Sequence, residues 1–144
     1  MFSRYPAKLP RSSAADDPRV PPAGARETIL LVEDEPAVRQ LFAQALIRAG
    51  YQVHEARNGE EALKVFGQHE ETIDLLLTDL RMPYMGGAEL ARQLKARRKT
   101  LKLLCVSGYP AGGETEMTSD FLAKPFSRDA LLAKVREVLD RPQA

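Results

Sequence analysis

A doubly wound α/β fold built on a parallel sheet is predicted, and three observations predict it. From Thr28 onward, short β-rich apolar runs alternate with helical patterns. Three of those runs hold a continuous apolar stretch, Ile29–Val32, Leu75–Leu77 and Leu103–Val106, as strands covered on both faces do. The connections between them are short, so successive strand–helix–strand units form right-handed crossovers. With 144 residues, 44% hydrophobic and 28% charged, the chain can bury the core of one such domain.

The first strand is expected at Thr28–Val32. A helix follows, because Val38, Leu41, Phe42, Ala45, Leu46 and Ala49 keep one apolar stripe. Pro36 suits its first turn and Gly50 its C-terminal cap. The second strand is expected at Tyr51–Glu55, and Asn58 with Glu61 reads as a capping box opening a helix over Gly59–Gln68. The third strand is Ile73–Thr78, with a helix over Ala88–Lys95; the fourth is Leu101–Val106. Between Gly108 and Asp120 apolar periodicity fades and Gly112-Gly113 interrupts, which predicts a short or irregular fourth helix. The fifth strand is Asp120–Ala123. Ser127 caps the last helix, with Phe126 and Leu131 placed as a staple and Leu131, Leu132, Val135, Val138 and Leu139 turned inward. Five strands in this rhythm suggest the flavodoxin-like order 2-1-3-4-5, whose crevice opens where strands one and three end.

Residues 1–26 hold five of the ten prolines and read as a flexible linker; 27–141 form the domain and 142–144 a tail. Net charge is +1, so no global field argues for nucleic acid, and no direct DNA binding is expected. One cysteine, Cys105, excludes an intrachain disulfide framework and reads as a small core side chain. No apolar run approaches the roughly 20 residues of a membrane span, and the N-terminus lacks a signal-peptide core. A cytoplasmic location is the expectation. His54 and His69 read as isolated surface or cap residues, and the basic run Lys95–Lys99 as a solvated helix terminus.

The chemistry gathers at strand ends. Strand one runs into Glu33-Asp34-Glu35 and strand three into Asp79, so three carboxylates converge on the crevice. Two carboxylates about 4 Å apart repel by roughly 4 kcal/mol at an effective dielectric near 20, so the group calls for a cation or a proton. An all-oxygen set selects a hard divalent ion, Mg²⁺ above all. Strand four ends at Ser107 and strand five at Lys124, adding a hydroxyl and an ammonium. These are the parts that stabilise a phosphoryl group transferred onto an aspartate.

The segments ILLVEDEP, LLLTDLRMP, VSGY and FLAKPF, in this order, resemble the receiver domain of bacterial two-component response regulators over about Glu27 to Asp140. The resemblance implies that Asp79 is the phosphoacceptor. It implies Mg²⁺ held by Asp34, Asp79, the backbone carbonyl of Arg81 and, directly or through water, Glu33. Ser107 and Lys124 would contact phosphoryl oxygens, Phe121 stands at the switch-aromatic position, and Arg81 and Tyr109 border the attacking water. The implied partners are a histidine kinase or histidine phosphotransfer protein and an unknown downstream protein. Such a domain catalyses only its own phosphorylation and dephosphorylation. VSGYP and FLAKPFSRDALLAKVREVL are most similar to receivers at the C-terminus of hybrid sensor histidine kinases; a stand-alone receiver is the other reading. With five residues after Leu139, no output domain is expected in this chain. Two other functions fit the topology: a phosphorylation-independent interaction module, and an aspartate-nucleophile phosphohydrolase. The second wants an acid two residues after the nucleophile, where Arg81 stands.

Overall fold

Along the first strand each residue faces the opposite way from its neighbours, and every one must be covered. Ile29 and Leu31 join one core with Leu46, Leu131 and Val135, while Leu30 and Val32 join another with Phe66, Leu90 and Leu94. That two-sided burial is why the run is apolar without a break. The structure is a computed structural model and describes residues 27–108 and 120–141. In chain order these hold β1 (Thr28–Val32), α1 (Pro36–Arg48), β2 (Gln52–Ala56), α2 (Gly59–Gln68), β3 (Leu75–Asp79), α3 (Gly87–Arg97), β4 (Lys102–Ser107), β5 (Asp120–Ala123) and α4 (Arg128–Asp140). The sheet order is β2-β1-β3-β4-β5 and every pairing is parallel. The expected irregular helix before β5 and Tyr109 lie outside the described residues, as do residues 1–26, expected as a linker, and 142–144, expected as a tail.

Both α1 and α4 cover one face, α2 and α3 the other. Pro36 opens α1, and Gly50 beyond its end takes φ 106°, the left-handed backbone that glycine adopts without strain. The Asn58 side chain accepts from Glu61 N at 2.7 Å, but Glu61 answers Arg57 N rather than Asn58 N, so the expected box is offset by one residue. Ser127 accepts from Ala130 N at 3.0 Å, and Phe126 packs on the Leu131 core while stacking on Phe42 at 5.2 Å.

Other expectations shift. The third strand starts at Leu75, because Asp74 instead initiates the pairing: its carboxylate accepts from Thr28 N and its N–H donates to Thr28 O. Leu41 was placed on the inward stripe but is 66% exposed, since the α1 stripe narrows to Ala43, Ala45 and Leu46. The basic run at the end of α3 is not simply solvated. Lys95 Nζ donates to Leu101 O, Arg98 donates to the carbonyls of Glu70 and Ile73, and Arg97 pairs with Glu70 over the Phe66 ring. Lys95 and Arg98 thereby satisfy carbonyls that the α2–β3 and α3–β4 turns leave open. His54 and His69 are likewise not isolated: their rings stack at 4.0 Å, and burial followed by the charge of His69 holds His54 below its ordinary pKa. Finally, Arg136 on α4 joins Glu27 before β1, Asp140 at its own helix end, and the Tyr51 hydroxyl. Lys102 Nζ from β4 donates to the Leu139 and Arg141 carbonyls at the end of α4. Among the described residues no helix is long and apolar enough to cross a membrane.

Candidate functional site

Because β1 and β3 are neighbours running in the same direction, their C-terminal ends open side by side. Glu33 directly follows β1 and Asp79 closes β3, so topology alone brings both carboxylates to one rim. Carboxylate oxygens of Glu33, Asp34 and Asp79 all lie within 4.8 Å of one another. Glu33 and Asp79 are buried, at 2% and 6% exposure, and Asp34 is exposed. The backbone spends several contacts fixing them. Glu33 N–H donates to Ala56 O, and one Glu33 oxygen accepts from Glu35 N. One Asp79 oxygen accepts from Arg81 N at 3.0 Å, while the Thr78 hydroxyl donates to the Asp79 carbonyl.

Lys124 arrives from the far side of the sheet. It follows β5 on a cis peptide to Pro125, and its N–H donates to Ser107 O at 2.8 Å. Its ammonium reaches Asp79 Oδ2 at 2.9 Å and Glu33 Oε1 at 3.3 Å. Burial alone would lower the Lys124 pKa; the hydrogen bond and charge of Asp79, with help from Glu33, outweigh it and raise it. Ser107 is fully buried at the end of β4, one residue past Val106, the strand partner of Asp79. Phe121 on β5 pairs with Cys105 on β4 and is half-buried on the same sheet face as Ser107. Thus Glu33, Asp34, Asp79 and Lys124 gather at one rim, with Ser107 at the end of adjoining β4 and Phe121 farther back on β5.

A set of three carboxylate oxygens with no imidazole or thiolate in it has the chemistry of a Mg²⁺ site. Oxygens within 4.8 Å of one another are close enough to share one cation, directly or through water. The donor set fits. Its protonation sets a test: the Glu33 carboxyl is pushed up from 4.5 to about 7, by burial first and the Asp79 charge second. An acid with a raised folded pKa holds a proton that the unfolded chain releases, so metal-free stability falls as pH rises through that window. A bound cation would replace this proton. The expected result is a Mg²⁺-induced rise in melting temperature that is small near pH 5 and grows until about pH 7, read by thermal melts with and without metal. A gap independent of pH would count against the assignment.

One determinant the sequence did not announce is Gly87. A Cβ there would stand 2.4 Å from Asp79 O and 2.9 Å from Leu80 Cα, distances that real atoms do not reach. Gly87→Ala is therefore expected to destabilise the fold by about 1–3 kcal/mol and to shift the Asp79 strand end, checked by denaturant unfolding alongside Mg²⁺ titration. The signal was the Gly86-Gly87 pair opening a helix, where a cap side chain would be usual.

Residues 29–136 match the model of the response regulator receiver domain. The chain belongs to that family. Among its relatives, the receiver is 39% identical over 119 residues to the sensor kinase CckA of Brucella abortus, covering 79% of this chain and 13% of the kinase. It is 35% identical over 122 residues to the phosphate regulon transcriptional regulatory protein PhoB of Pseudomonas aeruginosa, covering 80% of this chain and 52% of that protein. It thus spans about half, or much less, of the curated relatives it matches. In structure it resembles the receiver domain of the hybrid histidine kinase CckA (TM-score 0.70, 38% identity, 78% of this chain and 99% of that one). It also resembles the Thermotoga maritima response regulator TrrA in complex with Mg²⁺ and BeF (TM-score 0.69, 32% identity, 78% and 98%). The receiver therefore has the five-stranded 2-1-3-4-5 fold that its sequence predicts.

Proposed function

We propose that this receiver accepts a phosphoryl group on Asp79 from a phosphohistidine of a histidine kinase or histidine phosphotransfer protein, with Mg²⁺ as cofactor. The observation that carries the reading is the buried Asp79 carboxylate held 2.9 Å from the Lys124 ammonium inside a three-carboxylate cluster. Asp34, Asp79, the Arg81 carbonyl and Glu33, directly or through water, would hold the metal, whose bound charge neutralises phosphoryl oxygens.

The chain's own groups do the rest. An Asp79 oxygen attacks phosphorus in line as the donor P–N bond breaks, leaving a neutral imidazole and an acyl phosphate. Lys124 pairs with one phosphoryl oxygen, and the Ser107 hydroxyl donates to another. That pull on Ser107 makes room for Phe121, on the same face, to turn inward and alter the surface a downstream protein meets. Water attacking phosphorus later restores the carboxylate and releases phosphate. The likeness to CckA supports a place in a hybrid histidine kinase, with the domain in the cytoplasm. A phosphohydrolase is the poorer reading, since Arg81 rather than an acid follows two residues after Asp79.

The test is incubation of the full chain with acetyl phosphate, with and without Mg²⁺, followed by rapid intact-mass measurement. One added phosphoryl group, dependent on Mg²⁺, is expected. No addition despite Mg²⁺ binding would indicate a phosphorylation-independent interaction module, and sustained turnover of phosphomonoesters a hydrolase.

A further inference from the structure

Arg39 sits where a cation is not wanted for the sake of the helix. It is the fourth residue of α1, near the positive end of the helix dipole, in a helix with no acid in its first turn. Its side chain is only 18% exposed, and its guanidinium bridges two elements: Nη1 donates to Glu33 O at 2.8 Å, and Nε pairs with Glu55 Oε1 at 3.3 Å. Glu55 lies on edge strand β2 beside Ala56, whose carbonyl takes the Glu33 N–H at 3.1 Å. Strand β1 has ended at Val32, so the Glu33 carbonyl lies beyond the ladder and needs another donor, which the guanidinium supplies. Both amide groups of the Glu33 residue are thereby referred to β2. Glu55 also supplies the negative charge that keeps this cation from acting on the acidic cluster unopposed.

We propose that Arg39 is a positioning residue for the cation site: by joining the Glu33 carbonyl to Glu55, it fixes the β1–α1 loop so that Glu33 and Asp34 face Asp79. The inference rests on the Mg²⁺ reading of that cluster. It makes a prediction of opposite sign to simple electrostatics. Deleting a positive charge close to a cation site should tighten Mg²⁺ binding if charge were all that mattered. If Arg39 holds the ligands in place, deleting it loosens binding instead, as losing an outer-shell partner does.

The experiment is calorimetric Mg²⁺ titration of the full chain as wild type, Arg39→Ala, Arg39→Lys and Glu55→Gln, with melting temperatures measured without metal. Mg²⁺ affinity about tenfold weaker in Arg39→Ala is expected. Arg39→Lys, which keeps the charge but cannot span both partners, should also be weakened, as should Glu55→Gln, which frees the guanidinium. In acetyl phosphate reactions the Mg²⁺ concentration giving half-maximal rate should rise by the same factor, and saturating metal should restore the wild-type rate. Unchanged or tighter affinity in a folded Arg39→Ala overturns the proposal. Should that variant not fold, Arg39→Lys and Glu55→Gln decide it in the same way. A wild type that binds no Mg²⁺ overturns the functional reading together with this one; a wild type that binds and is phosphorylated, with variants indistinguishable from it, overturns the role of Arg39 alone.

Discussion

Asp79→Asn is expected to take up no phosphoryl group from acetyl phosphate at any Mg²⁺ concentration, while remaining folded. The amide is isosteric but is no nucleophile, so the loss is complete rather than partial. Folding should survive because two gross electrostatic effects oppose each other. Attraction to the Lys124 ammonium at 2.9 Å, about 6 kcal/mol at an effective dielectric of 20, is lost. Repulsion from buried Glu33, within 4.8 Å and at least about 3 kcal/mol on the same scale, is relieved. Exposed Asp34 adds a smaller, screened relief. Lys124 keeps Glu33 as a partner. The metal-free melting temperature should therefore move by only several degrees, whereas the stabilisation by Mg²⁺ should largely disappear. Mass spectrometry and thermal melts on one preparation check both halves. A phosphoryl group found on Asp79→Asn would place the acceptor elsewhere.

Lys124→Ala should behave in the opposite manner, harming the metal-free fold most. It removes the ammonium with which Glu33 and Asp79 both pair, and both carboxylates are more than nine-tenths buried. Breaking a buried ion pair from one side costs about 3–5 kcal/mol, and the Lys124 side chain, 27% exposed, places this one at the lower end. The loss should be largest near pH 8 and shrink toward pH 5, where Glu33 takes up a proton. Mg²⁺ should recover much of it, since a divalent cation then supplies the missing charge, and the Mg²⁺-induced rise in melting temperature should exceed that of the wild type. Phosphoryl uptake should fall by about 10²–10³-fold even with metal present, the usual loss when one preorganised charge or donor leaves the transition state. Denaturant unfolding at both pH values, with and without Mg²⁺, measures the first effect, and initial rates with acetyl phosphate the second. A variant as stable as wild type in the absence of metal would show that the acid pair is neutralised by some other means.

How much of this was written in the sequence follows from the physics of each feature. β1, β3 and β4 were legible because burial on both faces leaves a local mark, a stretch of consecutive apolar residues at the strand's centre. Sheet order followed from short right-handed crossovers, and with it the meeting of Glu33, Asp34 and Asp79. Caps were legible where a side chain serves its own helix, as Asn58 and Ser127 do. What escaped was contact between segments that share no pattern. Nothing local says that His54 will lie on His69 or that Arg98 will serve the carbonyls of Glu70 and Ile73, and the Gly86-Gly87 pair marks a special helix start without saying that Asp79 passes beneath it. Leu41 was misplaced for a related reason: its spacing fits the stripe, but the α1 contact surface is too narrow to reach it. Arg39 gave one weak sign, a cation at the wrong end of a helix, whose meaning depends on Glu55 and Glu33 standing beside it.

The Arg136 guanidinium has a consequence for how such a body is carried in larger polypeptides. Glu27, just ahead of β1, and Asp140, the last residue of α4, grip the same side chain, so the chain's way in and way out stand next to each other. A unit whose two ends meet behaves as a cassette. It can be spliced between unrelated segments, or re-cut and rejoined on its opposite side, with little tension handed to whatever lies before or after.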